Sequence, residues 1–318
     1  MKKLQFLFIF IVIVATVIYL IYREGTLPVD KTDNTPKIFK VEKGQSLNSI
    51  TNNLSKEGLI RNKVVFYLIV KRLGIEKSIQ AGEFQLAPSM NAETIAKSLT
   101  HGTVDTWVTI IEGLRKEEIA EILSQKFSIS EVDFNNEAEE GYLFPDTYSI
   151  PNGSDSEKII KILRDTFDKK YAEIAESAKK RNLSEKEVVT LASLVEREGR
   201  TKEDKQEVAN ILLKRYREDW TLDIDATVQY IVGYQTAEKR WWKKDLSFDD
   251  LKIDSPYNTY KNKGLPPGPI CSPGFDSLSA VANADVSTPY WYYVSDKDGK
   301  LHFAKTLEEH NSNIAKYL

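Results

Sequence analysis

The sequence predicts an α+β protein with three parts: an apolar N-terminal helix, a small α+β subdomain and a larger mixed α+β domain. The first observation behind this is an almost unbroken apolar run at residues 4–22. The second is a pair of short strand–helix units, at 38–54 and 81–99, and the third is a series of amphipathic helices separated by loops rich in Pro and Gly.

The apolar run has the length of a membrane span. At about 1.5 Å rise per residue, residues 4–22 can cross a hydrocarbon core of about 30 Å. A cleaved signal peptide is the alternative, but the run is longer than a usual signal core and no small-x-small cleavage site follows it. We therefore predict a retained transmembrane anchor at residues 1–23.

The charges around this run predict its orientation. Lys2 and Lys3 precede it, whereas Arg23 behind it is partly offset by Glu24. Because cytoplasmic flanks are enriched in lysine and arginine, we expect a single-pass protein with a cytoplasmic N-terminus. Everything after residue 23 then lies outside the cytoplasm.

Charge and metal-ligand content exclude two classes of function. Lys and Arg number 44 against 47 Asp and Glu, so a formal net charge of -3 offers no broad cationic surface and argues against a nucleic-acid partner. The lone Cys271 cannot form an internal disulfide. None of the three histidines stands in a zinc-binding motif, so we predict no metal: His101, His302 and His310.

Residues 24–37 are polar, contain two prolines and lack apolar periodicity, which predicts a linker. Folded structure is expected from Ile38, as a strand, a turn at Gly44 and a helix capped at Ser46. This Gly-x-Ser-Leu unit resembles the opening of LysM-type carbohydrate-binding modules, and it predicts a LysM-like subdomain at residues 38–100. The alternative is an ordinary small α+β packing unit.

Further elements follow from periodicity. Helices are predicted at 64–73, 91–99 and 114–126, strands at 81–86 and 104–111, and Lys- and Glu-rich helices between 155 and 181. The second domain is expected at 101–318, with a helical middle part at 114–181 and a core at 182–318.

One helix carries two carboxylates beside an apolar face. It is capped at Ser184 and ends at Gly199, and its buried face is predicted to hold Val188, Leu191, Ala192, Leu194 and Val195. Glu196 and Glu198 fall on opposite flanks of that face. A carboxyl group against apolar neighbours has a raised pKa, as a general acid requires. The alternative is a structural pairing of both glutamates with nearby arginines or a lysine.

Three later stretches, at 222–230, 255–260 and 264–274, combine short polar side chains and tyrosines with rigid Pro and Gly backbone. Such side chains suit sugar hydroxyls and acetamides, and aromatic faces suit a pyranose ring. A cluster of aromatic residues could add to this surface or belong to the core: Trp241, Trp242, Trp291, Tyr292 and Tyr293.

The motifs LASLVERE (191–198), DATVQY (225–230), YNTY (257–260) and GLPPGPI (264–270), with the closing region 290–310, resemble the endolytic murein transglycosylase (YceG-like) family. The resemblance implies a lytic transglycosylase in the cell (inner) membrane, with its catalytic domain outside the cytoplasm. Such an enzyme cleaves the MurNAc–GlcNAc bond of nascent peptidoglycan strands and leaves 1,6-anhydro-MurNAc ends. It uses no cofactor.

The resemblance carries the catalytic role onto Glu198, which would act first as acid and then as base. Our candidates for positioning the sugar or orienting the acid are Glu196, Asp225, Gln229, Tyr257, Asn258 and Thr259. The expected partners are peptidoglycan glycan strands, the membrane and peptidoglycan synthases. Two alternatives stay open: a muramidase-type hydrolase with Asp225 as second carboxylate, and a non-catalytic peptidoglycan-binding or cell-wall scaffold protein.

Overall fold

The computed structural model describes residues 2–100 and 105–318. The chain divides into two compact units. The first comprises residues 1–107 with 149–154, and the second comprises 108–148 with 155–318. The described residues form a mixed α+β protein, as the sequence predicts, and its sheets are two-stranded. The domain boundaries predicted at 23/24, 37/38 and 100/101 stay predictions.

The first helix, α1 (Lys2–Thr26), continues beyond the apolar run. Within it, Phe8–Thr26 is long and apolar enough to cross a membrane, and almost none of this stretch is buried, which fits a single-pass anchor. Its last turn packs against other residues of the first unit, because a Cβ added to Gly25 would come within 2.6 Å of Val65. The end of α1 is therefore part of the folded first unit.

The segment after α1, which the sequence predicts as a linker, is hydrogen-bonded to the same unit. The Asp30 amide donates to the Pro88 carbonyl at 3.1 Å, and the Ser89 amide donates to the Asp33 carbonyl at 3.0 Å. These backbone bonds hold the segment along the loop that precedes α4.

The first unit contains β1 (Lys37–Val41), α2 (Leu47–Lys56), α3 (Lys63–Leu73), β2 (Gly82–Leu86) and α4 (Ala92–Ser98). The predicted elements are confirmed to within two residues at their ends, including the cap at Ser46, whose side chain accepts from the Ser49 amide. The two strand–helix units share one antiparallel pair, β1 with β2. Their core includes Phe39, Leu54, Phe66, Ile69, Phe84 and Ile95.

A second strand pair joins β3 (Asp105–Thr109) to β4 (Thr147–Pro151). The predicted strand at 104–111 is confirmed within the described residues, whereas Val104 lies outside them. β4 was not predicted, although its sequence alternates and buries Tyr148 and Ile150.

In the second unit the helices are α5 (Lys116–Ser124), α6 (Glu131–Glu137), α7 (Ser156–Ala172), α8 (Ala175–Lys180), α9 (Glu185–Glu198), α10 (Lys202–Arg217), α11 (Asp225–Val232), α12 (Phe275–Ala282) and α13 (Leu307–Tyr317). A hairpin of β5 (Tyr292–Ser295) and β6 (Leu301–Ala304) precedes α13. α10 and α12 pack against α9, whose residues 188–195 are all buried.

The predicted helix at 184–199 is confirmed together with its start and its end. The Ser184 hydroxyl accepts from the Glu187 amide, and the Glu187 carboxylate accepts in return from the Ser184 amide at 2.8 Å. Gly199 follows the last turn in an extended conformation, φ -100°, so it does not form the left-handed cap typical of glycine. Packing requires glycine here, because a Cβ would come within 2.8 Å of the Lys205 amide nitrogen.

Candidate active site

Glu198, the last residue of α9, lines a cavity of about 780 Å³ in the second unit. α9 and α10 supply one side of this cavity, the start of α11 and the 255–260 loop supply another, and the β5–β6 hairpin with α13 completes it. The charged and phenolic side chains of its wall include Arg197, Glu198, Arg215, Asp225, Tyr260 and Tyr293.

The surroundings of Glu198 favour its neutral form. Burial is the largest cause and the charge of Asp225 adds to it, and together they raise the pKa of Glu198 to about 7. A hydrogen bond with the Tyr293 hydroxyl and the charges of Arg197 and Arg215 act in the opposite direction. A carboxyl group with a pKa near 7 can both donate and accept a proton at neutral pH.

Asp225 opens α11 and its carboxylate is exposed. The Tyr260 hydroxyl donates to Asp225 Oδ1 at 2.6 Å. Burial, followed by this bond to Asp225, raises the pKa of Tyr260, so the phenol stays a donor. The cavity therefore combines Glu198, whose surroundings favour the protonated form, with Asp225, whose carboxylate is oriented by the Tyr260 hydroxyl.

Two of the predicted positioning residues hold the backbone at Asp225 and Tyr260. Thr259 and Asn258 are 2% and 0% exposed. The Thr259 hydroxyl accepts from the Ile224 amide at 3.0 Å, next to Asp225, and Asn258 Oδ1 accepts from the Tyr260 amide at 3.0 Å. Both residues therefore fix the backbone that carries Asp225 and Tyr260.

Gln229 and Tyr257 lie apart from Glu198. Gln229 Nε2 donates to the Lys243 carbonyl at 2.7 Å. The Tyr257 ring packs on that of Tyr230, with 5.1 Å between centroids. In the part of the chain that the structure describes, neither side chain belongs to the wall of the Glu198 cavity.

Glu196 points to the other side of α9. One carboxylate oxygen pairs with Lys205 Nζ at 2.8 Å, and the other accepts from the Gly274 amide at 3.0 Å and the Ser277 hydroxyl at 2.6 Å. The Glu196 and Lys205 side chains are 6% and 7% exposed. Glu196 therefore joins α9 to α10 and to the start of α12, and within the described residues it does not line the cavity.

The sequence did not single out Arg215, Tyr260 and His310, which also line the cavity. Tyr260 belongs to the YNTY motif and could have been chosen with its neighbours. Arg215 gave no signal, because a basic residue in the last turn of a helix ordinarily faces solvent. Here it is 7% exposed and donates to the carbonyls of Leu222 and Trp291 at 2.6 to 2.9 Å.

Metal chemistry has no candidate site in residues 2–100 and 105–318, where no group of His, Cys, Asp and Glu side chains is arranged to hold an ion. The expected absence of a metal stays a prediction. Cys271 is buried, as expected of a lone thiol, and burial raises its pKa well above the ordinary value.

The fold and the site define an α+β protein with an open cavity, in whose wall a glutamate carboxyl has a raised pKa. The sequence profile of the YceG-like family matches residues 39–316. The chain therefore belongs to the YceG-like family.

Relatives agree with this assignment. A Bacillus subtilis (strain 168) protein named endolytic murein transglycosylase is 33% identical over 325 residues, covering 92% of this chain and 87% of that protein. A protein of the same name from Streptococcus pneumoniae serotype 2 (strain D39 / NCTC 7466) is 28% identical, and this chain spans 61% of its length. A crystal structure of a yceG-like protein from Listeria monocytogenes matches with a TM-score of 0.57 and 28% identity, over 87% of this chain and 99% of that one.

Proposed function

We propose that this protein is an endolytic peptidoglycan lytic transglycosylase and that Glu198 is its catalytic acid and base. The observation that carries the proposal is the Glu198 carboxyl, held with a pKa of about 7 in a wide cavity. Relatives named endolytic murein transglycosylase, similar over nearly the whole chain, support peptidoglycan as the substrate.

In the first step, protonated Glu198 donates its proton to the oxygen between N-acetylmuramic acid and N-acetylglucosamine. The bond from that oxygen to the muramyl C1 breaks, and N-acetylglucosamine leaves with the proton as its new hydroxyl. Positive charge develops at C1 and the ring oxygen. The Asp225 carboxylate, oriented by Tyr260, is available to stabilise that charge.

In the second step, ionised Glu198 takes the proton of the muramyl C6 hydroxyl, and the C6 oxygen bonds to C1. A 1,6-anhydro ring forms and Glu198 returns to its protonated state. No water is consumed and no cofactor is needed, so a single carboxyl group completes the cycle. Its pKa near the working pH makes both transfers accessible.

Product analysis tests the proposal. Full-length protein in detergent is incubated with purified glycan strands, and the new ends are identified by mass. We expect 1,6-anhydro ends, each lighter by one water than a reducing end. Reducing muramic ends would instead indicate a muramidase-type hydrolase with Asp225 activating water, and binding without cleavage would indicate a scaffold protein.

The N-terminal helix supports a single-pass location in the cell (inner) membrane with the N-terminus in the cytoplasm. Lys2 and Lys3 precede the span, and the helix Phe8–Thr26 is suited to cross it. Protease added outside spheroplasts should digest the chain beyond Thr26, whereas protection of the whole chain would contradict this orientation. Outside the cytoplasm, the part of the chain beyond Thr26 can contact nascent strands and peptidoglycan synthases. Crosslinking in cells would detect these contacts.

A LysM-like role for residues 38–100 is supported by a cavity of about 390 Å³ beside the Gly44 turn. We infer that this cavity contributes affinity for the strand and no chemistry. Ala81→Lys fills it from one wall. We expect weaker action on intact sacculi with an unchanged melting temperature, and unchanged activity on sacculi would refute this role.

A further inference from the structure

A row of rings leads away from the wall of the Glu198 cavity. Tyr292 and His310 line the cavity, and their rings stack with 5.2 Å between centroids. Trp220 meets Tyr292 edge-on at 6.1 Å, and Trp291 lies 4.6 Å from Trp220. These four residues, the aromatic row, join three separate parts of the chain: the α10–α11 loop, the start of β5, and α13.

Buried Arg215 fixes the backbone on both flanks of the row. Its guanidinium donates twice to the Trp291 carbonyl, at 2.9 and 2.6 Å, and once to the Leu222 carbonyl, at 2.8 Å. The Trp220 amide donates to the Arg215 carbonyl at 2.9 Å. The rings are therefore held in place before any ligand arrives, which lowers the entropy cost of binding.

Trp220 is the member of the row that faces solvent. Trp220 is 40% exposed, whereas the other three members of the row are partly buried. Lys214 Nζ lies 4.0 Å from the Trp291 ring centroid and covers that ring. A large, rigid and exposed indole beside a cavity is typical of a binding surface, because it offers apolar area and a polar edge together.

We propose that the aromatic row is a sugar-binding subsite, which holds a pyranose ring of the glycan strand beyond the bond that is cut. The C–H face of a pyranose is apolar and matches an indole face, while its hydroxyl and acetamide groups stay in water. The row continues the wall that carries Glu198, so one strand can occupy both. The identity of the sugar rests on the proposed function. Binding of a sugar that is remote from the cleaved bond favours cleavage within long strands.

Binding is measured first, in a background that cannot cut. Full-length Glu198→Gln in detergent is titrated with long peptide-free glycan strands, alone and combined with Trp220→Ala, Trp220→Phe or Phe248→Ala. We expect Trp220→Ala to weaken binding about tenfold, equal to about 1.4 kcal/mol, and Trp220→Phe to retain most of the affinity. Phe248, an 85% exposed ring outside the cavity wall, is the matched control and should change nothing.

Kinetics in the active protein give the second reading. Trp220→Ala should raise KM for long strands with little change in kcat, and the difference should disappear for the shortest strand that is still cut. Unchanged strand affinity and unchanged KM in Trp220→Ala would overturn the subsite. Equal losses in Trp220→Phe and Trp220→Ala, with lowered melting temperatures, would also overturn it, because the ring would then be structural. Release of 1,6-anhydro ends by Glu198→Gln tests the catalytic role of Glu198, whereas the effect of Trp220→Ala on strand affinity tests the subsite, so the two failures are distinguishable.

Discussion

Glu196 and Glu198 stand two residues apart on α9, and the structure gives them opposite surroundings. Glu196 is fully paired, with Lys205 on one oxygen and two donors from the start of α12 on the other. Glu198 faces an open cavity, where burial and the charge of Asp225 favour the protonated form.

The difference arises from helix geometry. Two residues rotate the side chain by about 200°, so a helix packed on its apolar face presents two flanks to different neighbours. The Glu196 carboxylate, which accepts from donors on α10 and at the start of α12, joins these elements to α9. A carboxyl group that is buried beside another carboxylate is costly to ionise, and it is therefore available for proton transfer near neutral pH. The same side chain thus serves stability at one position and, in our proposal, chemistry at the other.

The largest effect is expected from Glu198→Gln. Glutamine keeps the shape of a protonated carboxyl but cannot donate or retake a proton, so cleavage of glycan strands should fall by about 10²–10⁴-fold. Release of 1,6-anhydro ends by the full-length variant measures this. Wild-type release would remove Glu198 from the mechanism.

Glu196→Gln should lower the free energy of unfolding. It leaves Lys205 with Glu112, whose side chain is 50% exposed, as its other ion-pair partner, at 3.2 Å. Loss of one member of a buried pair costs about 3 kcal/mol, which a denaturant titration would detect. Glu121→Gln, a change at an exposed position on α5, is the matched control and should stay within about 0.5 kcal/mol. A Glu196→Gln protein as stable as this control would contradict the structural role.

The pH dependence of the free energy of unfolding tests the raised pKa of Glu198. Because the folded pKa of Glu198 lies at about 7 and its ordinary value is 4.5, the folded state binds more protons between these values. Its stability contribution is therefore complete below pH 4.5 and is lost as the pH rises towards 7. Glutamine avoids this loss, so Glu198→Gln should be more stable than wild type by about 1–3 kcal/mol at pH 8 and equally stable at pH 4. Equal unfolding curves at pH 8 would argue against a raised pKa.

The smallest change is expected in the position of the pH profile of Asp225→Asn. This change removes the negative charge that helps to raise the pKa of Glu198. The alkaline limb of the kcat/KM profile should therefore move to lower pH, by roughly half a unit. The position of the limb is the measurement, because its height also reports any role of Asp225 in stabilising the transition state. A shift to higher pH would contradict the electrostatic account.

Much of the fold could be predicted because the patterns are local. The apolar run, the strand and helix at 38–54 and the capped helix from Ser184 each depend on neighbours within a few residues. The partner of β1 could not be predicted in this way, because strand pairing is decided by residues distant in sequence. β4 was missed for a related reason, since a Pro-rich stretch hides a short alternating strand.

The site was predictable in part. The sequence located both glutamates on the flanks of one helix, but the partners that distinguish them come from α10, α11, α12 and β5. Asn258 and Thr259 were expected to position the sugar or to orient the acid, because their groups suit hydroxyls. In the structure their side chains accept from the backbone amides of Tyr260 and Ile224, next to two residues of the cavity wall. Residue type alone does not determine whether a polar side chain binds a ligand or a neighbouring backbone amide.

The most direct measurement is a titration of the Glu198 carboxyl itself. The infrared band of the protonated group can be followed with pH and assigned by its absence in Glu198→Gln. We expect a midpoint at about pH 7. A midpoint at the ordinary value for glutamate, 4.5, would contradict the claim that the cavity raises the pKa of this residue so that it can act as an acid.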